Sequence, residues 1–71
     1  STITFSGTNV AFDSTVVVVD RGIERPLPSR FVNGQVNADI ASLLPGTYPF
    51  FISSGSGDKL RRSPGQEIKI P

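Results

Sequence analysis

The side chains that most often carry chemistry are missing from this chain. It contains neither histidine nor cysteine. That removes the commonest general base, the thiol nucleophile, thiolate and imidazole metal ligands, and disulfides. Acid–base work would fall to a carboxylate pair. The acids Asp13, Asp20, Glu24, Asp39, Asp58 and Glu67 are scattered singly, mostly beside turn residues, and their spacing matches no calcium loop. Gly55, Gly57 and Gly65 form no phosphate-binding pattern, and no helix follows them to supply a dipole. The expectation is a protein without catalytic residues, cofactor or metal.

Basic residues fall into two groups. Arg21, Arg25 and Arg30 flank a proline-containing segment, and Lys59, Arg61 and Arg62 occupy a serine- and glycine-rich one. Brought to one end of a small domain, they would make a positive patch suited to phosphates or to an acidic protein surface. The whole chain is nevertheless close to balance, with seven basic and six acidic residues and a net charge of +1. That is not the footprint of a dedicated nucleic-acid binder. Charges on loops also keep a small β protein soluble and its strand edges unpaired.

The elements that must position these residues read as strands and turns, with no helix of useful length. "TITF" (2–5) alternates, with Ile3 and Phe5 on one face, and "GTN" turns the chain into a short strand "VAF" (10–12). "STVVVVD" (14–20) is a run of β-branched residues, apolar on both faces. "RGIERPLPSR" (21–30) reads as a connecting loop. Asn33-Gly34 suits a two-residue type I′ turn, after which Val36, Ala38 and Ile40 alternate with polar neighbours. "TYPFFI" (47–52) is a further strand, which Pro49 should restrict to an edge or a strand start. Residues 53–66 read as a flexible basic loop, and "EIKI" (67–70) as a last short strand with Ile68 and Ile70 inward. Short strands separated by turns predict one all-β domain over 1–71, a small antiparallel sandwich or a compressed barrel.

"LLPGTY" (43–48) reads as the corner where the chain changes sheets. Pro45 presets φ, Gly46 takes the bend, and Tyr48 packs its ring inward while its hydroxyl bonds nearby backbone. Over residues 25–52 the chain resembles carboxypeptidase-regulatory-like, Cna B-type and transthyretin-like domains. These commonly run "PL-x-G", "NG-x-[FV]" and "L-x-PG-x-Y", seen here as "RPLPS", Asn33-Gly34-Gln35-Val36 and Leu43 to Tyr48. The resemblance implies an Ig-like or prealbumin-like sandwich and says little of function. The "PG-x-Y" segment and the chain length also resemble the small all-β single-stranded-DNA-binding proteins of filamentous phages.

Seventy-one residues bury a small core, and such chains usually need a staple. With disulfides and metal excluded, association remains. Val16, Val17, Val18, Val19, Phe50 and Phe51 offer apolar side chains on both faces of two strands, more than one interior needs, and are candidate interface residues. No apolar run spans a bilayer and no signal-peptide pattern is visible. The small Ser1 is compatible with a trimmed initiator methionine. The expected function is non-enzymatic: a structural or assembly subunit, self-associating or part of a larger assembly such as a virus or phage particle, in a virion or extracellular setting. The first competitor is a single-stranded nucleic-acid binder, with the six basic residues named above on phosphates and Phe31 or Tyr48 stacking on bases. The second is an extracellular adhesive sandwich module.

Overall fold

A computed structural model of the chain describes residues 1–7 and 10–71. The described residues form β1 (Thr2–Ser6), β2 (Thr15–Asp20), β3 (Ile23–Pro26), β4 (Ser29–Val32), β5 (Gln35–Asp39), β6 (Gly46–Ser54), one 3-10 turn (Gly57–Lys59), β7 (Arg61–Arg62) and β8 (Gln66–Ile70). They pair into two antiparallel sheets. The three-stranded sheet has the order β1-β5-β4. The five-stranded sheet runs β3-β2-β6, with β7 and β8 following one another along the far side of β6. Neither sheet closes on itself, so the architecture is a small β-sandwich and not the compressed barrel.

Alternation along each strand builds the core. Val16 and Val18 of β2, Phe50 of β6 and Ile68 and Ile70 of β8 point inward from the larger sheet to meet Val36 and Ala38 of β5. Leu27, Ile40 and Leu43, from the connections between sheets, close the sides. Val16, Val18 and Val36 lose all contact with solvent, a burial that stabilises the fold by roughly 1.5–3 kcal/mol for each. The Phe5 and Phe50 rings meet across the layers with centroids 5.2 Å apart and planes tilted by 41°, within the range where aromatic pairs attract.

Hydrogen bonds tie two of the three crossings between the sheets. Where β3 leaves its sheet, the Leu27 N–H donates to the Val16 carbonyl at 2.8 Å and the Val16 N–H donates to Ser29 Oγ at 3.0 Å. The Ser29 hydroxyl in turn donates to the Leu27 carbonyl at 2.9 Å. Val16 thus keeps both backbone groups satisfied while the chain passes from one layer to the other. At the other of these two crossings the half-buried Tyr48 packs against the core and its hydroxyl donates to the Leu44 carbonyl at 2.6 Å. This is the tyrosine-corner geometry.

Several sequence expectations change. "VAF" (10–12) is not a strand: the Ala11 N–H donates to Ser14 Oγ at 2.8 Å and the Ser14 N–H to the Ala11 carbonyl at 3.0 Å. This tight turn leaves Phe12 exposed. Thr8 and Asn9 of the turn expected before it lie outside the described residues. The 21–30 loop contains β3 and the start of β4, because Arg21-Gly22 makes a two-residue hairpin turn with both φ positive, +56° and +80°. Asn33 and Gly34, at +52° and +77°, make the second such turn. Pro49 lies inside β6, a central strand. It is tolerated because the β2–β6 ladder ends at Val18 and Phe50, so the missing N–H faces no partner. The 53–66 stretch, read as a loop, holds the end of β6, the 3-10 turn and β7. It is tied back by hydrogen bonds from the Gly55 N–H to Asp13 Oδ2 at 2.9 Å and from the Ile52 N–H to Ser63 Oγ at 2.8 Å.

Two substitutions test this backbone account by urea unfolding. Arg21 occupies the left-handed region that β-carbons disfavour, so Arg21→Asn should raise stability by about 0.5–1 kcal/mol. At Gly55, with φ of +79°, an added β-carbon would sit 2.4 Å from the Lys59 carbonyl oxygen. Gly55→Ala should therefore cost about 1–3 kcal/mol.

Candidate docking surface

The direction of every side chain on β2 follows from the burial of Val16 and Val18. Because successive residues of a strand face opposite sides, Thr15, Val17 and Val19 point away from the core. The register sets Val17 beside Phe51 of β6 and Pro26 of β3, and Val19 beside Glu24. Pro49, two residues before Phe51, shares the same face. An apolar stripe of Pro26, Val17 and Phe51, with Val19 and Pro49 next to it, thus crosses the outer face of the five-stranded sheet. Glu67 and Lys69 of β8, alternating with the buried Ile68 and Ile70, flank it.

Arg62 lies across this face. Its guanidinium sits 4.6 Å from the centroid of the Phe51 ring, and its Nη1 is 3.3 Å from Glu24 Oε2. The side chain therefore spans from β7 over β6 and β2 to β3. Val17 is left only 9% exposed although it belongs to the outer face. The cation–ring contact is worth about 0.5–1 kcal/mol at an exposed site, and the half-exposed ion pair adds little beyond it. Arg62 thus shields the stripe more than it braces the fold.

The three-stranded sheet has a different outer face. Thr2, Thr4 and Ser6 of β1, Gln35, Asn37 and Asp39 of β5, and Arg30 of β4 are polar, with Val32 the exception. Thr4 Oγ1 donates to Asn37 Oδ1 at 2.6 Å. Of the two outer surfaces, that of the larger sheet carries the apolar stripe, set among Thr15, Ser53 and the charged Glu24, Arg62, Glu67 and Lys69.

The candidate interface residues therefore divide. Val16, Val18 and Phe50 are core, whereas Val17, Val19 and Phe51 form the outer stripe. The basic residues do not gather at one end. Arg21 and Arg25 stand at the β2–β3 hairpin and share the carboxylate of Asp20, at 4.0 and 2.8 Å. Lys59, Arg61 and Arg62 lie near the opposite end of β2, where Thr15 pairs with Ser53 and Ser53 with Arg62. Arg30 is on the other sheet altogether. Of the residues considered for base stacking, Tyr48 has its hydroxyl engaged and its ring against the core, and Phe31 is 37% exposed at the edge of β4.

Pro26, Pro49 and the Arg62–Glu24 bridge escaped sequence reasoning. Period-two counting along 47–52 puts Pro49 on the same face as Phe51. Pro26 and the bridge require knowing that β3 pairs with β2 at all, and the Arg21-Gly22 turn that makes it do so lacks the usual Asn-Gly or Asp-Gly signature. Among the described residues no group of three or more acids could hold a metal ion, and no helix is long and apolar enough to cross a membrane. Compared with models of known families, with curated proteins and with solved structures, the chain matches none.

Proposed function

We propose that this chain is a non-enzymatic assembly subunit that works through protein–protein contacts, docking by the outer face of its five-stranded sheet. The observation that carries this reading is the asymmetry between the two outer faces: one polar, the other an apolar stripe of Val17, Val19, Pro26, Pro49 and Phe51. The charges around the stripe, Glu24 and Glu67 against Arg62 and Lys69, balance one another. The fitting occupant is a protein face of the same kind, apolar and crossed by both signs of charge. A second copy of this chain meets that description. Association also supplies the support that a 71-residue domain without disulfides otherwise lacks. A shell of repeated subunits, such as a virus or phage particle carrying decoration or cement proteins, is the setting this reading fits. The two-sheet architecture and the Tyr48 corner support kinship with the carboxypeptidase-regulatory-like and transthyretin-like sandwiches.

Solution mass, followed by light scattering from micromolar to millimolar concentration, tests the reading. The wild type should self-associate, and added salt should leave that association intact, as apolar contacts require. Phe51→Asp, folded by circular dichroism, should lose this salt-resistant association. A wild-type monomer at every concentration that instead binds single-stranded oligonucleotide, with affinity collapsing in salt, would overturn it in favour of nucleic-acid binding.

A further inference from the structure

The larger sheet ends in two edges, and they are not equivalent. Pro49 has no N–H, so Pro49 and Glu67 cannot exchange hydrogen bonds, and the exchanging pairs between β6 and β8 are Tyr48 with Ile68 and Phe50 with Gln66. By alternation, the backbone groups of Ile68 and Ile70 face β6, while those of Glu67 and Lys69 face away from it. Hydrogen bonds elsewhere agree with this phase: Ile52 directs its N–H and carbonyl to Ser63, on the β7 and β8 side, and Val16 directs its own toward Leu27 and Ser29. No described strand pairs with the far side of β8. At the opposite edge the same phase points the nitrogen of Pro26 outward from β3, which removes one of the two outward donors there, Glu24 keeping the other, and disfavours pairing.

Resting on the assembly reading above, we propose that β8 pairs antiparallel with β8 of a second copy about a two-fold axis at Ile68. Pairing through the outward-facing groups of Glu67 and Lys69 allows few registers. Centring on Glu67 or on Lys69 sets like charges opposite each other, which is destabilising. Centring on Ile68 sets Glu67 of each copy opposite Lys69 of the other. Both are then hydrogen-bonded pairs, giving about four backbone bonds, and the side chains make two reciprocal ion pairs. Such an axis is perpendicular to the sheet, so the two five-stranded sheets run on as one and their apolar stripes come to lie on the same side. The edge pairing thereby enlarges the docking face instead of competing with it. A single Lys on an edge strand commonly discourages pairing. The Glu67 of the second copy, directly opposite in this register, turns that residue into a partner.

Amide hydrogen exchange by NMR, at low and high concentration, reads the edge directly. Ile68 and Ile70 should be protected at both concentrations by β6. Glu67 and Lys69 should exchange freely when dilute and become protected at least tenfold when concentrated. Glu67→Lys and Lys69→Glu should each weaken dimerisation by about tenfold, and the double swap should restore it. Lys69→Pro, which removes an outward donor and leaves the β6 ladder intact, should abolish the edge pairing and with it the concentration-dependent protection of Glu67. If the protein associates through Phe51 while the Glu67 and Lys69 amides stay unprotected and the charge reversals have no effect, the edge proposal is overturned and the docking face stands. A monomer at all concentrations overturns both.

Discussion

Everything in this sandwich hangs on Val16. Its side chain has no exposure and lies in the core both sheets share, while its N–H and carbonyl hold Ser29 and Leu27 at the point where the chain leaves one layer for the other. Burial and hydrogen bonding at one residue thus fix three things together: which face of β2 is interior, where β3 stops, and how β4 is placed over β2. An unsatisfied buried backbone group would cost about 1–3 kcal/mol, a large share of the stability a domain of this size possesses. The Ser29 hydroxyl is what lets β3 stop partway along β2 without that penalty.

Local features were readable in the sequence, and features set by partners were not. The β-branched run of β2, the alternation of β5 and β8 and the Asn33-Gly34 hairpin are written in adjacent residues, and the structure contains each of them. The corner at Tyr48 is likewise local, its bond reaching back four residues to Leu44. Residues 10–12 have strand-like composition, yet Ser14 closes a turn there by capping the backbone with its own side chain. The strand β3 was hidden because an arginine occupies a turn position where asparagine or glycine is the usual signal. For the 53–66 stretch, composition suggested a loop, but bonds to Asp13, across 42 positions, and to Ile52 order its backbone.

Charge is distributed so that it does little at long range. Asp20 takes two arginines, Glu24 takes Arg62, and the remaining basic groups are spread over both sheets and both ends. An even scatter of this sort creates no steering field. For the docking proposed above, this leaves contact chemistry at short range, chiefly apolar area and backbone edges. The sequence hinted at this by placing more apolar residues in β2 and β6 than a single interior requires, but which of them faced outward depended on a phase that only the paired strands establish.

Pro26 has a bearing on the limits of growth. A sheet with two competent edges can add neighbours at both, and each addition leaves the next edge open, which is how fibres propagate. If strands add at the β8 edge as proposed, the missing donor of Pro26 at the other edge works against a second addition. On that proposal, a proline at the end of a four-residue strand favours closed symmetry over open-ended polymerisation for this sheet.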